Sequence, residues 1–406
     1  MTSEHRPIRE LWRHEDPLSS QLEHFRRHVG KRYGVRVQTY DELHEWSTHN
    51  LADFWSEVWT FTAVKASKQY TTVVEKGASM WPRPAWFSGA MLNYAENLLY
   101  PPSCPNADSV AVVSANEVTS FTTTWSELRE KVRCVTSAMK KLHVEKGDRV
   151  GLVAGNTLEA LVILLATSAL GATMCASSPD LGVSALLERL KDLGAKVLFA
   201  DNGVIYNGKK HASMGKLHEV VRQLPSLRTC ILVNNVAIPS AASDIKPLHG
   251  DSLSYEDFLS LSTDEEQMFE QLPFDHPLFL LYSSGTTAKA KVIVHGQGGT
   301  LIQLKKEHEI HGDIGRGDVF FQVSQINWMM WPWLVTGLAS GATILLYDGS
   351  PFMPKDLGGY ALWHLADEYN VKVFGTSAKY LSTLEQNDVI PGMTIGRLLL
   401  ISSNSV

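Results

Sequence analysis

The fold class is decided by the stretch RVGLVAGNTLEALVILLATSALGATMCA, residues 149–176. Residues 149–154 form a continuous apolar run that predicts a buried strand, and residues 172–176 predict a second one. The segment between them, 158–170, is almost entirely apolar, which indicates a buried helix, and Gly171 is the usual kind of residue to end it. Two apolar strands joined by a helix are typical of a parallel sheet covered on both faces. The stretch therefore predicts an α/β fold.

The same alternation continues along most of the chain. Helices are predicted over 126–142 and 183–193, and Thr124 with Glu127 forms a capping box at the start of the first. A polar stretch containing two Pro, residues 237–254, predicts a surface loop. Further strands are predicted at 110–114, 196–200, 278–282, 318–323, 342–347, 371–374 and 397–401. We therefore predict mostly parallel sheets flanked by helices.

The first hundred residues have a different composition. Residues 40–50 and 53–61 predict short amphipathic helices, and several Pro after residue 81 interrupt the pattern. This region is rich in Trp, with Trp12, Trp46, Trp55, Trp59, Trp81 and Trp86. We predict that these side chains pack in the protein interior and do not bind a ligand. The predicted organisation is a helical N-terminal cap region over 1–105 and a larger domain over 106–406.

Composition and charge exclude several classes of function. The formal net charge of −6 argues against a nucleic-acid partner, because such proteins carry a basic footprint. The start of the chain is polar and shows no secretory signal. The most apolar run, 160–176, is short for a bilayer and is interrupted by polar residues, so no membrane partner is predicted. The four Cys, at 104, 134, 175 and 230, include no Cys-x-x-Cys pair, which argues against a zinc or redox site and favours the reducing cytosol.

The most informative segment for chemistry is YSSGTTAKAK, residues 282–291, which follows a predicted buried strand. Successive backbone N–H groups in such a loop form a concavity for anions, hydroxyls add donors, and Lys supplies positive charge. Gly285 allows a ligand to approach the backbone closely. The pattern favours a polyphosphate ligand, although a solvated surface turn has a similar composition.

Several familiar motifs are missing from the sequence. The loop lacks the spacing of a Walker phosphate loop, and no Gly-x-Gly-x-x-Gly follows a predicted strand, so a dinucleotide fold is not supported. No Gly-x-Ser-x-Gly is present, which leaves an esterase or amidase as a distant alternative. His308 and His311 lie three residues apart in a predicted helix, and we interpret both as exposed side chains.

Residues 282–291 resemble the phosphate loop of the adenylate-forming superfamily, whose usual pattern is Tyr/Phe-Thr/Ser-Ser-Gly-Thr/Ser-Thr-Gly-x-Pro-Lys. Trp86 with Phe87, and LNYAENLL at 92–99, resemble the N-terminal region of the acetyl-CoA synthetase branch. Five further segments resemble the acetoacetyl-CoA synthetases within that branch: SPDLG at 178–182, YNGK at 206–209, His295, WMMW at 328–331 and YDGSP at 347–351. The resemblance runs from about residue 40 to the end.

The resemblance implies an activity. Enzymes of this superfamily join a carboxylate to AMP, and the thiol of coenzyme A then displaces AMP. It implies ATP, Mg²⁺ and CoA as cofactors and a short-chain carboxylic acid, acetoacetate, as substrate. The phosphates of ATP are assigned to Ser283, Ser284, Gly285, Thr286, Thr287 and Lys291. The acyl pocket is assigned to Trp328, Met329 and Met330, and the phosphates of CoA to Gly208 and Lys209. No metal ligand is assigned.

The alternatives differ in what these residues do. The same chemistry could act on another short acid such as acetate. Trp328, Met329 and Met330 could begin an ordinary core helix, because such residues usually pack. Lys209 could be an ordinary exposed Lys. A non-catalytic product of a truncated gene is a further alternative.

Two features of the sequence depart from the superfamily pattern. Ala288 and Ala290 stand where Gly and Pro are usual, and Ala at a position of positive φ is strained by roughly 1 kcal/mol or more. The resemblance also places the ribose contacts and a small C-terminal domain beyond Val406. We therefore expect the large domain to be incomplete and the Lys used for adenylation to be absent, so no catalytic residue is assigned.

Overall fold

A computed structural model describes residues 14–283, 291–354, 360–389 and 399–403. The strands in these ranges are β1 (Met91–Leu92), β2 (Val110–Asn116), β3 (Ser120–Thr124), β4 (Arg149–Val153), β5 (Thr173–Ser177), β6 (Val197–Asp201), β7 (Gly203–Tyr206), β8 (Lys209–Ala212), β9 (Thr229–Val233), β10 (Asp251–Ser254), β11 (Leu272–Pro273), β12 (Pro277–Ser283), β13 (Lys291–Gly296), β14 (Val319–Gln322), β15 (Thr343–Asp348), β16 (Val371–Ser377) and β17 (Leu399–Ser403).

The α-helices in the same ranges are α1 (Gln21–Tyr33), α2 (Tyr40–His49), α3 (Leu51–Phe61), α4 (Tyr94–Leu99), α5 (Trp125–Lys141), α6 (Leu158–Ala169), α7 (Val183–Leu193), α8 (Met214–Val221), α9 (Tyr255–Leu259), α10 (Gln297–Lys305), α11 (Met330–Thr336), α12 (Ala361–Glu368) and α13 (Ala378–Gln386). A π-helical segment, Lys306–His311, follows α10 directly. None of the helices in the described ranges combines the length and the apolar character needed to cross a membrane.

Two large sheets organise the chain. One has seven strands in the order β10-β9-β6-β4-β5-β12-β13, and the other has six in the order β17-β16-β14-β15-β2-β3. Neighbouring strands are parallel except at one edge of each sheet, where β13 is antiparallel to β12 and β3 to β2. The prediction of mostly parallel sheets flanked by helices is confirmed.

The apolar pattern of the central strands of the two large sheets places them between layers of helices. Neighbouring β2 residues illustrate this, because Val112 joins the core between the sheets and Val113 joins the core on the outer face. Helix α6 belongs to the inner core, and every residue of it except Glu159 is buried. A helix enclosed in this way has no polar face, which explains its almost entirely apolar sequence. The unit predicted over 149–176 is confirmed as β4, α6 and β5.

The N-terminal helices share the inner core. Phe25 and Val58 belong to the same cluster of buried residues as α6, and the Trp59 ring stacks on Phe87 with centroids 4.9 Å apart. The helices predicted over 40–50 and 53–61 are confirmed as α2 and α3. Trp81 is 85% exposed, so the prediction that the Trp side chains pack inside is wrong for that residue. The division at residue 105 stays a prediction.

The side chain of Gln297, at the first residue of α10, joins the N-terminal region to the rest. Its Oε1 accepts a hydrogen bond from the Tyr94 N–H at 3.2 Å. Its Nε2 lies 3.1 Å from the carbonyl of Leu92 in β1, and 3.1 and 2.9 Å from those of Leu272 and Pro273 in β11. Gln297 is buried, so these contacts satisfy polar atoms that water cannot reach.

Other predictions of local structure are partly confirmed. The capping box at the start of α5 is present, with Thr124 and Glu127 bonding to each other's backbone N–H groups. The stretch 237–254 is not entirely a loop, because its last four residues form β10. The interpretation of His308 as exposed is wrong. Its ring is fully buried, and its Nε2 lies 2.7 Å from the carbonyl oxygen of Trp333.

Candidate active site

A cavity of about 590 Å³ lies at the carboxyl ends of strands from both large sheets. Residues 154–156 follow β4, residues 178–180 follow β5, and Asp348 ends β15, and all of them line this cavity. Ligands of open parallel sheets bind outside the carboxyl ends of the strands. The volume lies within the usual range for cofactor and substrate pockets.

The turn after β4 is held between two carboxylates. The Gly155 N–H donates to Asp201 Oδ2 at 2.8 Å, and the Asn156 N–H donates to Asp348 Oδ1 at 3.1 Å. A Cβ at Gly155 would lie 2.5 Å from the Asp348 carboxylate oxygens, so this close approach requires Gly. The turn therefore joins strands of the two sheets at the floor of the cavity.

Burial dominates the electrostatics of these two carboxylates. It raises the pKa of Asp201 well above its ordinary value, and the hydrogen bond from Gly155 opposes the shift. Burial also raises the pKa of Asp348 to about 6, opposed by the hydrogen bond from Asn156 and reinforced by the charges of Asp180 and Glu117. Like charges around a cavity disfavour each other's ionisation. Strongly shifted carboxyl groups in a cleft are characteristic of functional sites.

One wall of the cavity is apolar and comes from the start of α11. Trp328, Met329 and Met330 all line the cavity, and Trp328 is 44% exposed. The next residue, Trp331, is buried, and its Nε1 donates to Asn156 Oδ1 at 2.8 Å. Asn156 thereby ties this wall to the turn after β4. The structure brings the three residues of the predicted acyl pocket together, and their role stays a prediction.

The predicted phosphate loop is only partly within the described residues. Ser283 ends β12 and Lys291 begins β13, and the two are paired across the antiparallel ladder. Strand β12 is parallel to β5, so Ser283 lies at the same edge of the sheet as residues 178–180 of the cavity. The other residues assigned to the phosphates, Ser284, Gly285, Thr286 and Thr287, lie outside the described ranges. Ala288 and Ala290, which depart from the superfamily pattern, also lie outside the described ranges.

The predicted CoA residues form the turn of a hairpin. Strands β7 and β8 pair antiparallel, and Asn207 and Gly208 connect them with φ values of 52° and 70°. Positive φ at both positions is the geometry of a type I′ turn, for which Asn-Gly is a preferred pair. Tyr206 lines the cavity, whereas Lys209 points to solvent. The turn therefore lies at the rim of the cavity.

The cavity has no positive side chain in its lining, as far as the described parts of the chain go. Lys216 lies behind one wall, where its Nζ donates to the carbonyl oxygen of Pro179. Burial lowers the pKa of Lys216, and the Asp180 carboxylate opposes this shift. An anionic substrate would meet Asp180 and Asp348 without a counter-charge from the lining. Positive charge for such a substrate has to come from a metal ion or from a neighbouring loop.

Sequence reasoning missed the polar residues that build this cavity. Asn156, Asp201 and Glu117 were not singled out, and Asp180 and Asp348 appeared only inside segments that carried the resemblance. The signal that could have found them is their position directly after predicted buried strands, where parallel sheets place their ligands. Four of the segments that carry the resemblance, at 178–182, 206–209, 328–331 and 347–351, contribute residues to this one cavity.

The chain matches the model of an enzyme family. The model of the AMP-binding enzyme family matches residues 104–394, which is well over half of the chain. The chain therefore belongs to the AMP-binding enzyme family. A second model, that of the acetyl-coenzyme A synthetase N-terminus, matches residues 40–98.

Three named proteins are similar to the chain over nearly its whole length. The chain is 43% identical to malonamoyl-CoA synthetase of Penicillium aethiopicum, over 98% of this chain and 57% of that protein. It is 39% identical to acetoacetyl-CoA synthetase of Rattus norvegicus, over 94% of this chain and 56% of that protein. The solved structure of acetoacetyl-CoA synthetase from Streptomyces lividans superposes with a TM-score of 0.86 at 34% identity, covering 96% of this chain and 58% of that one. The chain thus spans less than three fifths of the length of these relatives.

Proposed function

We propose that this chain binds and activates a short-chain acid in an ATP-dependent acid–thiol ligase, with acetoacetate as the acid, acetoacetyl-AMP as the intermediate and acetoacetyl-CoA as the product. The observation that carries the proposal is that the apolar wall at 328–330 and Tyr206, beside the hairpin turn, line one cavity at the sheet edge where β12 ends at Ser283. Similarity to acetoacetyl-CoA synthetases over nearly the whole chain supports it.

The chemistry needs two sites to lie close together. A carboxylate oxygen attacks the α-phosphate of ATP, pyrophosphate leaves, and the CoA thiol then attacks the acyl carbon and AMP leaves. Since the acyl group is common to both steps, the α-phosphate of ATP and the thiol of CoA must both be able to reach it. A cavity bounded by the strand ends of two sheets allows this arrangement.

Negative charge is the main obstacle to the first step. The Asp180 and Asp348 carboxylates face the same cavity that would receive the acid. Mg²⁺ bound to the triphosphate would neutralise charge there, and Ser283, Ser284, Gly285, Thr286, Thr287 and Lys291 would hold the phosphates. Mg²⁺ in such enzymes is held mainly by substrate phosphates with one or two carboxylates.

A second candidate acid follows from the similarity to malonamoyl-CoA synthetase. Malonamate and acetoacetate have nearly the same shape and differ in the distal group, which is an amide NH₂ in one and a methyl in the other. The apolar side of the wall, formed by Met329 and Met330, suits a methyl group. An amide would need an acceptor within reach, and a site built to hydrogen-bond a distal group strongly rejects an isostere that lacks it.

The cytosol is the proposed compartment. All four Cys are free thiols in the structure, which suits a reducing environment.

The test is ATP–pyrophosphate exchange by the purified chain with acetoacetate, malonamate and acetate in parallel. Because the Lys used for adenylation is expected to be absent from this chain, we expect slow exchange that depends on acetoacetate and is slower still with acetate. Exchange that prefers malonamate would reassign the acid and keep the reaction. Folded protein that exchanges with none of the acids would favour the non-catalytic alternative.

A further inference from the structure

The side chain of Glu117 is buried beside the cavity and accepts three hydrogen bonds. Glu117 follows β2 in the tight turn to β3 and is 5% exposed. Its Oε1 accepts from the Asn207 N–H at 2.8 Å and from the Ser350 N–H at 2.7 Å. Its Oε2 accepts from the Gly208 N–H at 2.6 Å. All three donors are backbone groups.

These donors belong to two loops of different origin. Asn207 and Gly208 form the turn between β7 and β8, which extends from the seven-stranded sheet. Ser350 follows β15 of the six-stranded sheet. The Glu117 side chain also packs closely against the loop after β15, because a Cβ at Gly349 would lie 2.6 Å from Glu117 Cγ. One carboxylate therefore joins the hairpin turn to the opposite sheet.

Local hydrogen bonds hold the turn between β2 and β3 in place. Asn116 Oδ1 accepts from the N–H groups of Val118 at 2.8 Å and Thr119 at 3.0 Å, which fixes the backbone around Glu117. Tyr206, before the hairpin turn, and Gly349, before Ser350, both line the cavity. A displacement of the Glu117 side chain would therefore move two cavity walls relative to each other.

We propose that Glu117 is a positioning residue for CoA, because it fixes the 207–208 turn at the rim of the cavity. The inference rests on the proposed function, since it assumes that this turn meets CoA. A carboxylate presents acceptors on both oxygens. The amide of Gln keeps one acceptor and turns its NH₂ toward an N–H donor, so Glu117→Gln should release one side of the contact while preserving volume.

The experiment has two readouts on the full chain. Amide hydrogen exchange reports local opening of the hairpin without any ligand. Binding of CoA itself, with ATP as the comparison ligand, is measured by titration calorimetry. The Gln orientation that loses only one hydrogen bond turns its NH₂ toward the Gly208 N–H. Loss of one charge-assisted hydrogen bond corresponds to about a tenfold change, so we expect about tenfold faster exchange at Gly208 and about tenfold weaker CoA binding in Glu117→Gln. ATP binding should be unchanged.

Two further variants secure the interpretation. Gly349→Ala displaces the Glu117 side chain without removing it, so this variant should also weaken CoA binding. It tests the proposal even if Glu117→Gln folds poorly. Val118→Ala changes a neighbour that is 76% exposed and should leave both readouts as in the unmodified protein.

The outcomes separate the inference from the function on which it rests. Faster hairpin exchange with undiminished CoA affinity would overturn the role of Glu117 and leave the proposed function intact. An equal loss of CoA and ATP binding would mean a general structural effect and would also overturn it. If the unmodified protein binds ATP but not CoA, the proposed CoA function fails and the inference fails with it.

Discussion

Two groups of buried polar side chains in this protein are built in opposite ways. At the end of α10, Lys305 is 1% exposed, and its Nζ donates to Glu309 Oε1 at 2.6 Å and to the Ala339 carbonyl at 2.9 Å. Beside the cavity, Asp201 and Asp348 accept hydrogen bonds from backbone N–H groups, burial raises the pKa of both, and nearby carboxylates raise it further: Asp348 acts on Asp201, and Asp180 and Glu117 act on Asp348. The first group pairs opposite charges, and the second gathers like charges.

The difference separates a structural role from a binding role. A buried pair of opposite charges with further hydrogen bonds satisfies itself and makes its neighbourhood rigid. Like charges beside a cavity lower stability, and such an arrangement is typical of a site adapted to a ligand. Variants that change one group at a time test this contrast.

Lys305→Met should have the largest effect. It leaves Glu309, whose side chain is 19% exposed, without its counter-charge. Breaking a fully buried pair lowers the free energy of unfolding by about 3 to 5 kcal/mol, so we expect a loss at the lower end of that range. Urea unfolding would measure the change. The control is the double variant Lys305→Met, Glu309→Leu, which should recover most of the loss because no isolated charge remains. Equal instability of the single and double variants would contradict a role for the ion pair.

Gly155→Ala should disturb the cavity group next. The added Cβ would lie 2.5 Å from the Asp348 carboxylate, and overpacking of this kind lowers the free energy of unfolding by about 1 to 3 kcal/mol. The matched control is Gly299→Ala in α10, where a Cβ meets nothing within 4 Å. That change should stabilise the protein by about 0.5 to 1 kcal/mol, since Ala favours a helix. A gain in stability for both variants would refute the close approach at Gly155.

Asp348→Asn should change how stability depends on pH. Burial raises the pKa of Asp348 to about 6 in the folded state, so the folded chain binds more protons than the unfolded chain between about pH 4 and pH 6. The free energy of unfolding therefore falls as pH rises through this window, and the loss persists above it. Asn removes the ionisation, so the variant should be more stable than the unmodified protein by about 1 to 2 kcal/mol at pH 7.5 and not at pH 4. Urea unfolding at both values tests this, and a pH-independent difference would count against it.

Trp328→Ala should have the smallest effect on stability. The side chain is 44% exposed, so we expect a change below about 1 kcal/mol in the free energy of unfolding. If Trp328 contacts the acid, the KM for the acid in pyrophosphate exchange should rise about tenfold, which corresponds to the loss of one favourable contact. Trp81→Ala, at a Trp that is 85% exposed and does not line the cavity, is the control. Equal KM values in the two variants would remove Trp328 from the acyl pocket.

The sequence predicted the elements whose environment is uniform along their length. Strand β4, helix α6 and strand β5 are buried along almost their whole length because layers on both sides enclose them, so their mostly apolar pattern can be recognised without knowing their neighbours. The β7–β8 hairpin was missed because its strands have four residues each and β8 is exposed. The Asn207–Gly208 pair was a usable signal for that hairpin.

The cavity depends on contacts between distant segments, and these limit prediction from sequence. His308 was assigned to an exposed face because helical spacing does not reveal that Trp333 covers it. Glu117 meets partners about 90 and 233 residues away in the chain, and no local pattern indicates such pairings. The residues of the predicted acyl pocket were assigned through the resemblance and not through periodicity.

The side-chain amide of Gln297 has a practical consequence for dissecting the protein. Its contacts with residues before 105 and with β11 connect the two sides of the predicted boundary within one buried network. A shortened version that starts at residue 106 would leave this amide without the Leu92 and Tyr94 partners and would uncover the face on which α4 packs. Cleavage of the backbone near residue 105 should therefore give two pieces that stay associated and melt together, and an expression project would do better to retain the N-terminal helices.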